Sequence, residues 1–281
     1  MPPTLSQGQL FVVATPIGNL ADMVPRAVET LQTADLIAAE DTRHSAPLMA
    51  HFDIKTPMVA YHDHSDDRKV QQLIDKMQAG SKIALISDAG TPLISDPGYR
   101  LVAEARKHGI AVTPIPGASA ITAALSASGL ATDRFRFDGF LPPKTTARQK
   151  MLTGLKDDPA TLVFYEAPHR LLASLDDIQT VFGTERRMVV AREISKTFET
   201  FLCGSIAEVR EQVAADSNQQ RGEIVIMVAG AEQRDLAIDT ASQKLMASLI
   251  PHMPLKQAAS IVAEHTGIKK NLLYQWGLEQ K

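Results

Sequence analysis

The chain has a single cysteine, Cys203, among 281 residues. That excludes an internal disulfide and any metal site built on several cysteines, and no metal is expected. A lone free cysteine behaves as a small hydrophobe, so Cys203 reads as a half-buried strand residue. No apolar run approaches the roughly 20 residues that a membrane-spanning helix needs. The start, Met1-Pro2-Pro3-Thr4-Leu5-Ser6-Gln7, lacks a basic stretch followed by an apolar one, so no signal peptide is expected and the cytoplasm is the expected location. A large charge of one sign is missing as well. The net charge of −3 is too small for a wholly basic nucleic-acid binder, and such binding would have to come from local patches. Two nucleotide motifs are absent. No G-x-x-x-x-G-K-[ST] occurs and no G-x-G-x-x-G follows a strand, so neither ATP nor NAD held in the usual way is expected.

What is present is ordinary in bulk. Hydrophobic residues make up 44% and charged residues 22%, a globular composition in a chain long enough for one large or two medium α/β domains. Short β-rich apolar runs alternate with helical patterns. Leu10–Ala14, Leu36–Glu40, Lys82–Ser87 and Ala111–Ile115 read as strands; Met23–Thr33, Arg68–Ala79 and Tyr99–His108 read as helices. This alternation, with strands apolar along their length, predicts a mainly parallel sheet covered on both faces. The small-residue segment Ala118–Ser128 predicts a tightly packed helix with Gly129 at its stop.

The character changes at Asp133–Lys150, where Arg134, Arg136, Lys144, Arg148 and Lys150 stand among Phe135, Phe137 and Phe140. Further strands are read at Thr161–Tyr165, Arg187–Ala191, Thr200–Cys203 and Glu223–Val228, some of them hairpin neighbours, so a mixed second sheet is expected. Gly230–Asp239 reads as a linker. The predicted organisation is an N-terminal α/β domain over 1–130, a second α/β domain over 131–232 and a helical module over 240–281.

In open α/β sheets ligands bind outside the carboxyl ends of the strands. Six strand ends here carry Gly, Pro and ionisable residues together: Thr15–Leu20, Glu40–His44, Asp88–Gly98, Pro116–Ala120, Glu166–Arg170 and Arg192–Lys196. One such loop is ordinary turn punctuation; six together point to a site.

Those residues carry a resemblance. Ala14-Thr15-Pro16-Ile17-Gly18-Asn19-Leu20, Ala39-Glu40-Asp41-Thr42-Arg43, Ser87–Gly98 and Pro114–Ala120 resemble the tetrapyrrole-methylase superfamily. With Gly139–Pro142, Tyr165–Arg170 and Ala191–Ile194, the chain is similar to the branch of bacterial small-subunit ribosomal RNA 2′-O-ribose cytidine methyltransferases, over about Leu10–Gly230. The resemblance implies a two-domain α/β fold, a homodimer, and S-adenosylmethionine in the cleft between domains. Carried over by position, it implies cofactor contacts at Pro16, Asp88, Ala89, Gly90, Leu93, Ala118 and Ser119, with Leu141, Pro168 and the backbone near Ile224 approaching from the second domain. Gly90 would let the backbone reach the ligand without a Cβ, and Pro92 and Pro97 would stiffen the loop.

The acceptor that the resemblance implies, a ribose hydroxyl of ribosomal RNA in the small subunit, would need alignment and help in losing its proton. Asp41, His44, Lys196 and Glu199 are the candidates for that work. Arg43, Arg170 and Arg192 are candidates for holding phosphates, with Arg134, Arg136, Lys144 and Arg148 forming a basic lobe interleaved with aromatics. Any one of these alone is an ordinary surface charge; their gathering at strand ends is the signal. In the tail, Pro254–Glu264, a turn at His265–Ile268 and a second helix from Lys269 follow helix-turn-helix grammar. Residues 242–281 carry five lysines against two glutamates, so Lys269 and Lys270 are further RNA candidates. A small helical cap is the plainer reading of the same tail. Two other functions fit parts of the chain: a small-molecule (tetrapyrrole) methyltransferase of the same fold, and a metabolite-responsive DNA-binding regulator using the tail as its reader.

Overall fold

The computed structural model describes residues 8–62, 67–231 and 238–280. The first seven residues and most of the linker expected at Gly230–Asp239 lie outside them. The chain divides into two compact units, residues 1–231 and 232–281. The first unit holds two sheets, one in each of two lobes.

The first lobe runs β1 (Gln9–Val13), α1 (Pro25–Thr33), β2 (Leu36–Ala39), α2 (Thr42–His51), β3 (Met58–Ala60), α3 (Asp67–Gln78), β4 (Lys82–Ile86), α4 (Tyr99–Lys107), β5 (Ala111–Ile115) and α5 (Ala120–Ser128). Its five strands lie in the order β3-β2-β4-β1-β5, with every pairing parallel. The apolar strands bury both faces, as the sequence pattern predicts. Leu10, Ala38, Ile83 and Leu85 pack against α3 and α4 through Val70, Leu73 and Leu101. On the other face Val13, Ile37, Ala39 and Ile86 pack against α1 and α2 through Ala27, Leu31 and Met49. Pro114 cannot donate to a ladder, and β5 lies at the sheet edge where none is needed. Two elements escaped the sequence pattern: β3, only three residues long, and α2, whose N-cap is Asp41.

The second lobe runs β6 (Phe135–Phe140), α6 (Thr145–Gly154), β7 (Thr161–Glu166), α7 (Leu171–Phe182), β8 (Arg187–Arg192), β9 (Thr200–Ser205), α8 (Ile206–Ala215) and β10 (Ile224–Val228). The order is β6-β7-β10-β8-β9; β6–β7 is parallel and the other pairs antiparallel, so this sheet is mixed. One face packs on α6, α7 and α8. The other is covered by α5, whose Ile121, Ala124 and Leu125 meet Val163, Val189, Val225 and Met227. The helix that follows the first sheet therefore closes the core of the second. Cys203 is exposed on the edge strand β9 rather than half-buried.

The second unit holds α9 (Thr240–Leu249), α10 (Leu255–Thr266) and α11 (Lys270–Glu279) around a core of Met246, Leu255, Ala258, Val262, Ile268 and Leu273. Gly267 ends α10 in the left-handed region at φ 75°, a conformation that favours glycine. Gly277 lets the helices close up, since a Cβ there would stand 2.3 Å from Leu255 Cδ1.

Candidate functional site

The strand order creates a crevice. The chain leaves β1 toward β2 on one side and leaves β4 toward β5 on the other, so the loops after β1 and β4 diverge at a topological switch point. Thr15 and Gly90 pair across the divergence by two backbone hydrogen bonds, of 2.9 and 3.0 Å. Gly90 adopts φ 77°, and a Cβ there would lie 3.2 Å from Ile17 Cγ2. Two non-glycine residues of the same loop, Leu93 (φ 75°) and Ser95 (φ 66°), also hold left-handed backbone. Such conformations are costly, and they gather where a loop is shaped for a ligand.

A cavity of about 360 Å³ opens above these loops, within the roughly 300–1,000 Å³ usual for small-molecule sites. The first lobe lines it with Ile17, Ala89–Thr91, Ile94–Asp96, Ser119 and Ala120; the second with Phe140, Tyr165–Pro168, Ile194 and Gly222–Val225. Of the ten expected cofactor positions, Ala89, Gly90, Ser119, Pro168 and Ile224 stand in this wall. Pro16, Asp88, Leu93, Ala118 and Leu141 do not. Asp88 instead ties two strand ends together. Its carboxylate accepts from Asp41 N at 3.2 Å, and its own N–H donates to Glu40 Oε2 at 3.2 Å. Leu93 packs into the first core beside Gly98, while the Ala118 carbonyl accepts from Thr91 Oγ1 at 3.1 Å. Leu141 is buried in the second core, and its neighbour Phe140 reaches the cavity. The register of β6 shifts between Phe137 and Phe140, and such a bulge re-aims the side chains that follow it.

Tyr165 sits between Phe137 and Phe140, edge-on to both at centroid distances of 4.9 and 5.5 Å. Burial, then the negative charges of Asp96 and Glu223, push its hydroxyl up to about 12. The cavity thus joins apolar walls to a negative field.

Beneath the second-lobe wall, Glu166 is buried and accepts from Ala167 N at 2.7 Å, Arg170 Nη2 at 2.7 Å and the Ser174 hydroxyl. This network leaves Arg170 Nε buried without a partner among the described residues. Arg192 is also largely buried, its guanidinium donating to the Phe198 carbonyl at 2.9 Å and to Thr200 and Gln219 side chains.

The loop after β8 forms the second crossing between lobes. Glu193 (φ 51°) and Ser195 (φ 69°) hold left-handed backbone. The Ser195 hydroxyl donates to Asp22 of the first lobe, and Ser195 N donates to Glu199 Oε2 at 2.6 Å. Lys196 Nζ bridges Glu193 Oε1 at 3.0 Å and Glu223 Oε2 at 2.8 Å. Burial opposes the charge on Lys196, but these two carboxylates outweigh it and raise its pKa. The same holds in mirror image for Glu193, which burial disfavours as an anion yet Glu223 N and Lys196 keep ionised. Lys196 is an ammonium here and is not poised to take a proton.

The remaining expected residues fall elsewhere. The Asp41 carboxylate caps α2 through Arg43 N at 2.8 Å and pairs with the Arg43 guanidinium, which holds it well below the usual carboxylate range. Arg43 is exposed, as is His44, and neither lines the cavity. Arg134 and Lys144 are exposed; Arg136 pairs with Asp138 at 2.8 Å and Asp158 at 3.5 Å. Arg148 requires a correction. It is 1% exposed, paired with Asp177 at 2.5 Å and bonded to the Pro142 and Ala173 carbonyls. It joins α6 to α7 inside the protein and presents no charge to a nucleic acid. Lys269 caps the start of α11 on the exposed side, and Lys270 begins that helix. Among the described residues, no group of three or more His, Cys, Asp or Glu is placed to hold a metal, and no helix is long and apolar enough to cross a membrane.

Sequence reasoning missed Tyr165, Phe140, Ile94, Asp96 and Ile194 as wall residues, although all stand in or beside the strand-end loops. Only the crossing of the two lobes brings them to one cavity.

Comparison with known proteins agrees with this geometry. The family model described as Tetrapyrrole (Corrin/Porphyrin) Methylases matches residues 9–210, and one described as RsmI C-terminal HTH domain matches 237–281. A protein named Ribosomal RNA small subunit methyltransferase I from Pseudomonas aeruginosa is 53% identical, covering 99% of both chains. Its namesake from Escherichia coli O157:H7 is 50% identical over 98% of this chain and 96% of that relative. Among solved structures, the cobalt precorrin-4 methyltransferase CbiF superposes with a TM-score of 0.59 at 16% identity, covering 82% of this chain and 97% of that one. Uroporphyrin-III C-methyltransferase from Thermus thermophilus, complexed with S-adenosylhomocysteine, gives 0.55 at 17% identity over 79% and 97%. These structures share the fold. The chain belongs to the tetrapyrrole methylase family, among the proteins named ribosomal RNA small subunit methyltransferase I.

Proposed function

We propose that this protein transfers a methyl group from S-adenosylmethionine to the 2′-hydroxyl of a cytidine in small-subunit ribosomal RNA. The observation that carries the reading is similarity near half identity along the whole length, tail included, to relatives named for methylating that RNA. The 2′-oxygen and the cytidine come from the strand-end motifs that resemble the branch.

The cavity fits the donor. Its apolar walls suit an adenosine and a thioether, and the Asp96 and Glu223 carboxylates in its lining suit a sulfonium cation. Bound there, the donor would supply a methyl carbon on positively charged sulfur: an O–C bond forms as the C–S bond breaks, its electron pair leaves with sulfur as a neutral thioether, and the hydroxyl proton passes to a base or water. Gly90 leaves room for the ligand where a side chain would intrude, and Pro92 and Pro97 lessen the entropy lost on binding. We assign Pro16, Asp88, Ala89, Gly90, Leu93, Ala118, Ser119, Leu141, Pro168 and Ile224 to this site, half as wall and half as the layer supporting it.

On the acceptor side we assign Asp41, His44, Lys196 and Glu199 to orienting the nucleotide, and Arg43, Arg134, Arg136, Lys144, Arg170, Lys269 and Lys270 to the RNA backbone; Arg192, buried and bonded to Phe198, Thr200 and Gln219, corrects the sequence expectation and holds its own loop instead. The working form is a cytoplasmic homodimer acting on RNA within the small ribosomal subunit. Three domains, 1–130, 131–232 and 240–281, divide this labour, the last docking the large substrate.

Donor labelled on its methyl group, offered with assembled small subunits, free ribosomal RNA and uroporphyrinogen, tests the reading. Label in the RNA is expected. Label in the porphyrin alone would make this a small-molecule methyltransferase, and retention of DNA with no label anywhere would make it a regulator.

A further inference from the structure

A second hollow adjoins the donor cavity. It is a groove of about 560 Å³ running along α5, and it shares Ile17, Ser119 and Ile194 with the first cavity. Thr122, Ala123 and Ser126 floor one side; Asp22, Glu199 and Phe201 stand on the other. Methyl transfer requires the acceptor oxygen to meet the methyl carbon in line, so the acceptor must enter through a space next to the donor. This groove is such a space.

Its chemistry narrows what part of an RNA it holds. No lysine, arginine or histidine lines it among the described residues, so it is not a phosphate seat. Two carboxylates do, and both are fixed by the strained Ser195: its hydroxyl donates to Asp22 Oδ2 and its N–H to Glu199 Oε2 at 2.6 Å. Each carboxylate thus keeps a second oxygen for a ligand. An ionised carboxylate accepts only, and the groups on a nucleotide that match it are an exocyclic base amine and a sugar hydroxyl. Phe201 adds a ring face, and unstacked bases lie on aromatic side chains. The small residues of α5 leave the width a flat ring needs.

We propose that this groove seats the acceptor nucleoside, turned out of the RNA, with its base beside Phe201, its exocyclic amine on Asp22 and Glu199, and its ribose toward the wall shared with the donor. Turning a nucleotide out of the stack frees its base face and exocyclic amine for the groove and lets the ribose be set against the donor. The assignment rests on the RNA-methylating reading above. Asp22 and Glu199 come from different lobes, so the seat exists only while the Ser195 link holds them together.

The test fills the groove from an exposed position of α5 with Ser126→Trp. Calorimetry with S-adenosylmethionine, methyl transfer to assembled small subunits and light scattering are then compared with the wild type. Unchanged donor affinity and unchanged oligomeric state, with transfer reduced by more than about tenfold, are expected. Transfer at the wild-type rate would overturn the proposal. A changed oligomeric state with activity falling in step would also overturn it, making the groove an interface between copies of the chain. Glu199→Gln supplies the second measurement. A KM for subunits raised severalfold at constant kcat is expected of a recognition group; a fallen kcat at constant KM would make Glu199 the proton acceptor and overturn its part in recognition. A wild-type protein that binds the donor yet labels no RNA would instead sink the function, and so separates the two failures.

Discussion

Gly18 of the first lobe lies directly beneath the aliphatic chain of Lys196 of the second: a Cβ on Gly18 would stand 2.4 Å from Lys196 Cγ. The glycine's φ of 144° is one that L side chains rarely adopt. The backbone and the neighbouring lobe thus both require glycine there. Gly18→Ala is expected to destabilise the first unit by about 1–3 kcal/mol, read as a lower urea midpoint. Adding Lys196→Ala should return the steric share and leave the backbone share. A single variant with the wild-type midpoint would show that the two lobes do not meet here.

The Arg148–Asp177 pair is buried on both sides, with side-chain exposures of 2% and 8%. Removing one partner strands the other charge, so Asp177→Ala should cost about 3–5 kcal/mol. Replacing both by Met and Leu should come much closer to neutral. RNA affinity of the double variant should match the wild type in a filter-binding titration, whereas a weakened affinity would return Arg148 to the RNA surface.

Gly90→Val places a branched side chain at φ 77°, facing Ile17 Cγ2 and the Ala118 carbonyl. Donor binding measured by calorimetry should vanish while RNA affinity stays largely intact. Undiminished binding would put the donor outside the cavity.

Folding raises Tyr165 from 10.0 to about 12, by burial first and by Asp96 and Glu223 after it. A group raised in this way contributes its stability fully below the unfolded value, and that contribution disappears as pH climbs through the folded one. The window here is pH 10 to about 12. Tyr165 should ionise late in a spectrophotometric titration, and the late-ionising signal should be smaller in Tyr165→Phe by one tyrosine. A wild-type titration without it would show that the Tyr165 hydroxyl is not withdrawn from water in this wall.

Reversing Lys269 and Lys270 to glutamate should weaken RNA binding and flatten its salt dependence, by about one unit of log–log slope for each phosphate no longer neutralised. Donor affinity should not move. An RNA affinity equal to the wild type at low and high salt would make the second unit a structural appendage.

What the sequence made legible follows the range of the forces. β1, β2, β4 and β5 show as apolar runs because both sheet faces are buried, and that need is written into every residue of a strand. α2 did not show: its apolar pattern is weak, and Asp41, which caps it, drew notice as a chemical group instead. Arg148 misled for the related reason that a basic residue in a basic stretch looks exposed until its partner Asp177, 29 residues on, is seen beside it. Leu141 was one residue away from the cavity-lining Phe140, because a bulge in β6 changes which side chain faces the ligand.

By itself the sequence determined the parallel first sheet, the mixed second one, the helical tail and the loops that hold the chemistry, since periodicity, glycine and proline act within a few residues. The Gly90 loop is the clearest case, for its conformational demand is local. Only the tertiary structure decided that α5 closes the second core, that Ser195 reaches Asp22, that Lys196 covers Gly18, and that Tyr165 feels Asp96. Each joins residues dozens to more than a hundred positions apart. Such pairs depend on how two sheets meet, and no local pattern encodes that meeting.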